Sequence, residues 1–372
     1  MLMDLVDHVV GIDPDRDRIT AAVVSAKTQG ELAWRTFPAT ARGYRAVQRW
    51  AGEFTETGRR AWAIEGSGSF GAGLATALAA NEEYVIEFDH PRSRAATDGA
   101  KSDALDAVRA ARETLGRAAW SSPRARGARE GLRTLIVARD SAKIARVAAI
   151  NILKALIVTA PEDIREQLRK QPLGQLLTRC QRLRPETSQD PERAATKLSL
   201  KSTAHRIADL TRECEQLEAA MLPLVKHLAP RLLDETGIGT PVAAQIIISW
   251  SHPGRCRSEA AFARLAGVAP IEATSGQTQT RHRLSRGGDR QLNRAFHQAV
   301  LIRAKVHQPT KDYIARRIAE GKTKREAMRC LKRYYAQHLP PTGGPRNRFL
   351  TSIGASPSRR CRRTRRRGPS TR

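Results

Sequence analysis

The first 115 residues alternate short β-branched runs with helix-forming stretches, and this alternation restricts the fold more than any other feature of the chain. His8–Asp13 reads as an apolar strand, Ile19–Ser25 as a second, and Leu32–Phe37 as a third after the turn at Gly30. Three strands separated only by turns imply an antiparallel meander. A helix is expected over about Ala41–Phe54, a strand over Ala61–Glu65, a Gly- and Ala-rich helix over about Phe70–Ala80, a strand over Tyr84–Phe88 and a helix from Ser102 to about Leu115.

The resulting order, β-β-β-α-β-α-β-α, is that of a ribonuclease-H-like α/β domain, placed here at residues 1–120. Strand signals then vanish and the chain becomes rich in Ala, Leu, Arg and Glu, which predicts a helical spacer over 121–230. Ile207, Leu210, Cys214, Leu217, Met221, Leu224 and Leu228 form a heptad seam, with Pro223 expected to kink its end. That seam suits either an intramolecular hairpin with an earlier helix, about Gly131–Val158, or a dimerisation coil. The stretch from about Pro161 to Pro191 would be the turn or an inserted element. A compact, mainly helical region is expected over 231–338, ended by Pro340 and Pro341.

Charge indicates the partner. A formal net charge of +28 and a pI near 11.1 are unusual for an enzyme of small neutral molecules and favour a polyanion, with nucleic acid the natural candidate. The segment from Leu339 to Arg372 holds ten arginines and no acid. It is expected to be a disordered basic tail adding phosphate affinity without reading sequence. The five cysteines are scattered and lack CxxC pairs, which argues against a zinc site or a disulfide framework and fits a reducing cytoplasm. No stretch has the length and apolarity of a membrane span or an export signal.

The acids supply the first candidate chemistry. Asp13 ends the first strand in VVGIDPD and Glu65 ends the fourth in WAIEGSG. If those strands are neighbours, the two carboxylates converge at one edge. Asp103 and Asp106, in KSDALDA, share a helix face by their three-residue spacing. Four carboxylates at one site would suit Mg²⁺ or Mn²⁺, hard cations that serve phosphodiester cleavage. Asp15 and Asp17 read as turn residues, and Asp98 as a looser candidate in the loop before the helix. GSGSFGAG after Glu65 lacks the lysine of a phosphate-binding loop and reads as a tight turn into a packed helix.

A second constellation lies near the C-terminus. LLDETGIGTPVAAQIII has the pattern of a helix-hairpin-helix, whose backbone amides around Gly237 and Gly239 could hold a DNA phosphate. Further on, Ser275 precedes Gly276, and Arg281, Arg283, Arg286 and Arg290 surround a Gly287-Gly288 turn, with Asn293 and Arg294 on the helix beyond. A serine attacking phosphate needs cations to hold the charge developing on the phosphoryl oxygens, which such arginines would provide.

The ordered set GIDPD, AIEGSG, AKSDALDA, a helical spacer, a GIG turn, GVAPIEATSG and RLSRGGDRQLNRA resembles the DEDD transposases of bacterial insertion sequences, relatives of the Piv-type invertases. The resemblance spans residues 8–338. It implies a first domain similar to RuvC-type Holliday-junction resolvases, with Asp13, Glu65, Asp103 and Asp106 as catalytic metal-binding acids. It also implies Ser275 as the nucleophile that becomes linked to DNA phosphate, and Gly237, Gly239, Arg281, Arg283, Arg286, Arg290, Asn293 and Arg294 as nucleic-acid contacts. The implied partners are double-stranded DNA, a bridge RNA that selects the sites, and further copies of the chain in a homodimer or homotetramer. The implied location is the bacterial cytoplasm, in association with the nucleoid. The inserted stretch between about Gln171 and Thr203, and the SRRCRRTRRR tail, depart from the family pattern. A resolvase-type endonuclease using only the carboxylates is the alternative, and a non-enzymatic binder in which the acids are structural is a third reading.

Overall fold

The computed structural model describes residues 1–54, 59–88, 102–117, 120–124, 126–185, 189–252, 255–256, 258–272, 282–284 and 287–338. The chain divides into two compact units, Met1–Ala125 with His252–Arg255, and Arg126–Ser251 with Cys256–Arg372.

The first unit is a five-stranded sheet with helices on both faces. Its strands are β1 (His8–Pro14), β2 (Arg18–Ser25), β3 (Glu31–Pro38), β4 (Arg60–Glu65) and β5 (Tyr84–Phe88), in the order β3-β2-β1-β4-β5. The meander is antiparallel, whereas β1–β4 and β4–β5 are parallel. The helices α1 (Ala41–Gly52), α2 (Ala72–Ala80) and α3 (Asp103–Leu115) complete the β-β-β-α-β-α-β-α order.

The central strands serve two cores because successive side chains point to opposite faces. Val10, Ile12, Trp62 and Ile64 pack with Val47, Trp50, Leu74 and Leu78 of α1 and α2. Val9, Ala61, Ala63 and Ile86 pack with Ala107, Val108, Ala111 and Leu115 of α3. A fully buried side chain of this size contributes about 1.5–3 kcal/mol, so these two layers fix the strand register. A one-residue slip would exchange the faces.

The second unit is mainly helical. A long helix α4 (Ala128–Val158) packs along the longer α7 (Pro191–Leu228), so the seam is closed within the chain as a helical hairpin. Pro223 does not end α7, which continues to Leu228. Between the long helices, α5 (Glu162–Leu168) and α6 (Leu173–Gln181) bury Ile164, Leu168, Leu176 and Cys180 against Leu153, Ile157, Leu200 and Ile207. The inserted stretch thus caps the far end of the hairpin with a core of its own.

The near end of the hairpin shares a core with the helices that follow it. Leu132, Ile136, Met221 and Val225 pack with residues of α8 (Thr240–Trp250), α9 (Glu259–Leu265), α10 (Arg290–Val306), α11 (Gln308–Ala319) and α12 (Lys324–His338). Two short strands, β6 (Pro270–Glu272) and β7 (His282–Leu284), pair antiparallel. Among the described residues, no helix is long and apolar enough to cross a membrane.

Candidate functional site

In the first unit, β1 and β4 run side by side with Ile12 opposite Ile64, so Asp13 and Glu65 occupy the next position on each strand. Alternation places both on the face of Val9, Gly11, Ala61 and Ala63, which is the face covered by α3. Both acids are half-buried.

The orientation of α3 follows from two contacts. A Cβ added at Gly11 would lie 1.9 Å from the Ala107 carbonyl oxygen, so α3 crosses β1 with backbone against backbone. Further along, Arg112 Nε donates to the Gln29 carbonyl at 3.0 Å, just past the end of β2, where Ser25 faces His8 at the start of β1. The C-terminal half of α3 therefore overlies the beginning of β1. Its first turn, with Asp103 and Asp106, points toward the Asp13 end.

Asp103 stands one turn before the buried Ala107 and shares its stripe of the helix. Asp103 is exposed and Asp106 half-buried. Arg109 reports on their neighbourhood: its hydrogen bond to Glu113 raises its pKa most, and the charges of Asp106 and Glu65 add to the effect. Glu65 and Asp106 thus lie within electrostatic reach of one cation. Among the described residues, no group of three or more His, Cys, Asp or Glu side chains is gathered closely enough to hold a metal ion. The acids share an edge and a face without forming a ready-made cage. Their all-oxygen donor set fits a hard divalent cation. Asp98 lies outside the described residues.

The GSGSFGAG stretch forms the turn from β4 into α2. Gly66 has φ +60°, and a Cβ at Gly71 would meet Ile64 Cγ2 at 2.6 Å. The glycines serve close packing of that turn.

In the second unit, Gly237 has φ +89° and Gly239 is the N-cap of α8, which receives no side-chain cap. The helix before the turn ends at Leu228, and a single 3-10 turn, Pro230–Leu232, intervenes. The GIG turn is therefore held differently from a simple two-helix hairpin. Its clamp is Arg303 of α10, 2% exposed, which donates to Glu235 Oε2 (3.3 Å) and the Thr236 carbonyl (3.4 Å). Arg303 also lies over the Tyr335 ring at 5.2 Å, and Tyr335 donates its hydroxyl to the same Thr236 carbonyl. A Cβ at Gly237 would lie 2.6 Å from the Ala299 carbonyl oxygen. Sequence reasoning missed Arg303; the available signal was a lone arginine in the apolar stretch AVLIRAKV.

The Gly287-Gly288 turn is equally tied down. Gly288 has φ +101°, and Asp289 caps α10 by accepting from the Gln291 and Leu292 amides and from the buried Ser249 hydroxyl. Asn293, expected on the nucleic-acid surface, donates to the Ala266 and Gly267 carbonyls and accepts from Lys332 Nζ at 2.9 Å. Its amide is occupied inside the protein. Arg290 and Arg294 are exposed on α10. Arg283 has a described backbone in β7, opposite Ile271, while Ser275, Arg281 and Arg286 lie outside the described residues.

Two stretches of the chain match known families. Residues 10–160 match the family model DEDD_Tnp_IS110, described as "Transposase", and residues 229–315 match the model of the transposase IS116/IS110/IS902 family. Both stretches are therefore similar to transposases of the IS110 family. A similar curated protein, the "Insertion element IS110 uncharacterized 43.6 kDa protein" of Streptomyces coelicolor, is 28% identical over 134 residues, 36% of this chain. The match spans about a third of that relative's length (33%). The first match contains all four candidate acids, Asp13, Glu65, Asp103 and Asp106, and α3, and the second contains the GIG turn, Ser275 and α10.

Proposed function

We propose that this chain is an IS110-type transposase, an enzyme that cuts and rejoins DNA during the movement of an insertion element. The observation that carries the reading is the acid edge: Asp13 and Glu65 at adjacent parallel strand ends on one face, with the first turn of α3 directed toward them. Asp13, Glu65, Asp103 and Asp106 would hold Mg²⁺ or Mn²⁺, a group that stabilises charge on attacking and leaving phosphate oxygens.

Ser275 would attack a DNA strand, its Oγ forming a bond to phosphorus as a strand P–O bond breaks. Arg281, Arg283, Arg286 and Arg290 would hold the charge developing on the phosphoryl oxygens. Amides at Gly237 and Gly239, in a helix-hairpin-helix-like turn, would hold the backbone without reading sequence. Site selection is assigned to a bridge RNA. Acting on two duplexes calls for several active sites, hence a homodimer or homotetramer.

The test is cleavage and strand exchange on element-end DNA with Mg²⁺. Asp106→Asn is expected to abolish cleavage, and Ser275→Ala to abolish the detergent-stable protein–DNA adduct. A Ser275→Ala protein that still cuts without an adduct would favour the carboxylate-only endonuclease, and an Asp106→Asn protein of full activity would remove the acid edge from the mechanism.

A further inference from the structure

The second unit contains a cationic cleft that joins Arg294 and the start of α8 to a residue with no role so far, Lys143 of α4. It is an open cleft between α4, α8 and α10, whose polar lining is Arg139, Asp140, Lys143, Gln245, Gln291, Arg294 and Gln298.

The three cations in the cleft are not equivalent. Arg139 is neutralised twice, donating to Glu218 Oε1 at 2.7 Å and to Asp140 Oδ1 at 2.8 Å. Among the described residues, neither Lys143 nor Arg294 has an ion-pair partner. Lys143 is half-buried, so its ammonium lacks part of its hydration and faces the like charges of Arg139, Arg294 and Arg146, with Asp140 opposing them; the balance still lowers its pKa. A further anion in the cleft would relieve that excess of positive charge.

The first turn of α8 opens into the same cleft through Pro241 and Val242. Its N-cap, Gly239, contributes no side-chain cap, and Pro241 has no N–H, so the uncapped amides of that turn are those of Thr240 and Val242, at the positive end of the helix dipole. Gln291 and Gln298 add side-chain amides to the lining, while Gln245 donates to Ser249 Oγ at 2.9 Å. Side chains 151 positions apart, Lys143 and Arg294, thus converge on a helix N-terminus.

We propose that the cleft formed by Lys143, Arg294 and the first turn of α8 is a docking site for the phosphodiester backbone of duplex DNA. The proposal deepens, and rests on, the reading of the chain as a DNA-cutting enzyme. It adds Lys143 of the helical hairpin to the DNA surface, and it explains why the hairpin shares a core with α8 and α10: that packing holds Lys143 against them. The contact fixes position and carries no base information.

The experiment uses the full chain and a fluorescent 30-bp duplex, with binding measured by anisotropy across a KCl series. Each lost phosphate contact lowers the slope of log K against log[salt] by about 1. Lys143→Gln is expected to reduce the slope by about 1, Lys143→Gln with Arg294→Gln by about 2, and Lys143→Arg to leave it near wild type. The exposed pair Lys154→Gln with Arg206→Gln, outside the cleft, is the control for generic charge loss.

A double cleft variant with the wild-type slope, or a control pair that lowers it equally, overturns the proposal. A loss seen only with an RNA hairpin as probe overturns the assignment to DNA. Asp106→Asn is expected to keep the wild-type slope while losing cleavage, so failure of the cleft and failure of the enzymatic reading give separate results. Arg294→Gln alone, on an exposed side chain, preserves the test if Lys143 variants fold poorly.

Discussion

Gly11→Ala is the substitution that most directly tests how the acid edge is built. The added methyl would lie 1.9 Å from the Ala107 carbonyl oxygen and 2.9 Å from the Ala111 nitrogen. Ordinary contact begins near 3.4 Å, so α3 must withdraw from β1 by about 1.5 Å, because neither obstacle is a flexible side chain. Overpacking of this kind costs about 1–3 kcal/mol. The displaced helix carries Asp103 and Asp106 in its first turn, and a misplacement of about 1 Å at a reacting centre can cost roughly 10²-fold in rate. Gly11→Ala is therefore expected to lower metal-dependent strand cleavage by about 10²-fold or more while leaving a folded protein with a reduced melting temperature. Gly43→Ala is the matched control: its Cβ would lie 1.9 Å from the Pro38 carbonyl oxygen, at the start of α1 and on the other face of the sheet. It is expected to lose comparable stability and keep cleavage. Calorimetry and single-turnover cleavage on both variants decide the matter. Wild-type cleavage by Gly11→Ala, or equal loss in both variants, would refute the claim that this crossing positions the acids.

Two further outcomes follow from the clamp on the GIG turn. Arg303→Met should destabilise the second unit by about 2–3 kcal/mol, at or below the range for breaking a buried pair, because the Glu235 side chain is 25% exposed and regains some hydration; urea unfolding checks it, and a neutral result would show that the turn is held by Tyr335 and packing alone. His307, bonded to Thr310 Oγ1 at 2.9 Å, has its pKa lowered from 6.5 by burial and then by Arg303, with Glu235 opposing. The unfolded chain therefore binds this proton more readily, so its contribution to stability is full above about pH 6.5 and is lost as pH falls below that value. His297, lowered by burial and Lys332, has the same sign. Unfolding free energies at pH 7.5 and 5.5 should show the loss, and His307→Asn should lessen it; an unchanged pH dependence in that variant would rule out His307 as a source.

Local patterns made the strands and helices of the first unit legible. Tyr84–Phe88 ends where its run of apolar side chains ends, and the meander follows from three such runs joined by short turns. The heptad spacing of Ile207 through Leu228 likewise announced a long helix, since a two- or 3.6-residue period is a property of consecutive residues. Pro223 lies inside α7, which continues through it to Leu228, the last residue of the seam. Arg303 was missed because its partners, Glu235, Thr236 and Tyr335, lie on other elements of the chain.

Alternation and spacing along the sequence were enough to determine the α/β character of the first unit and the helical character of the second, and charge and spacing pointed to a polyanionic partner and to the candidate acids. Tertiary structure alone decided that β1 lies beside β4, that α3 crosses at Gly11 with its first turn toward Asp13, that α4 closes the heptad seam, and that Lys143 meets Arg294. The physical reason is that strand order, helix crossing and burial of charge are set by which surfaces exclude water together, and those surfaces come from segments distant along the chain.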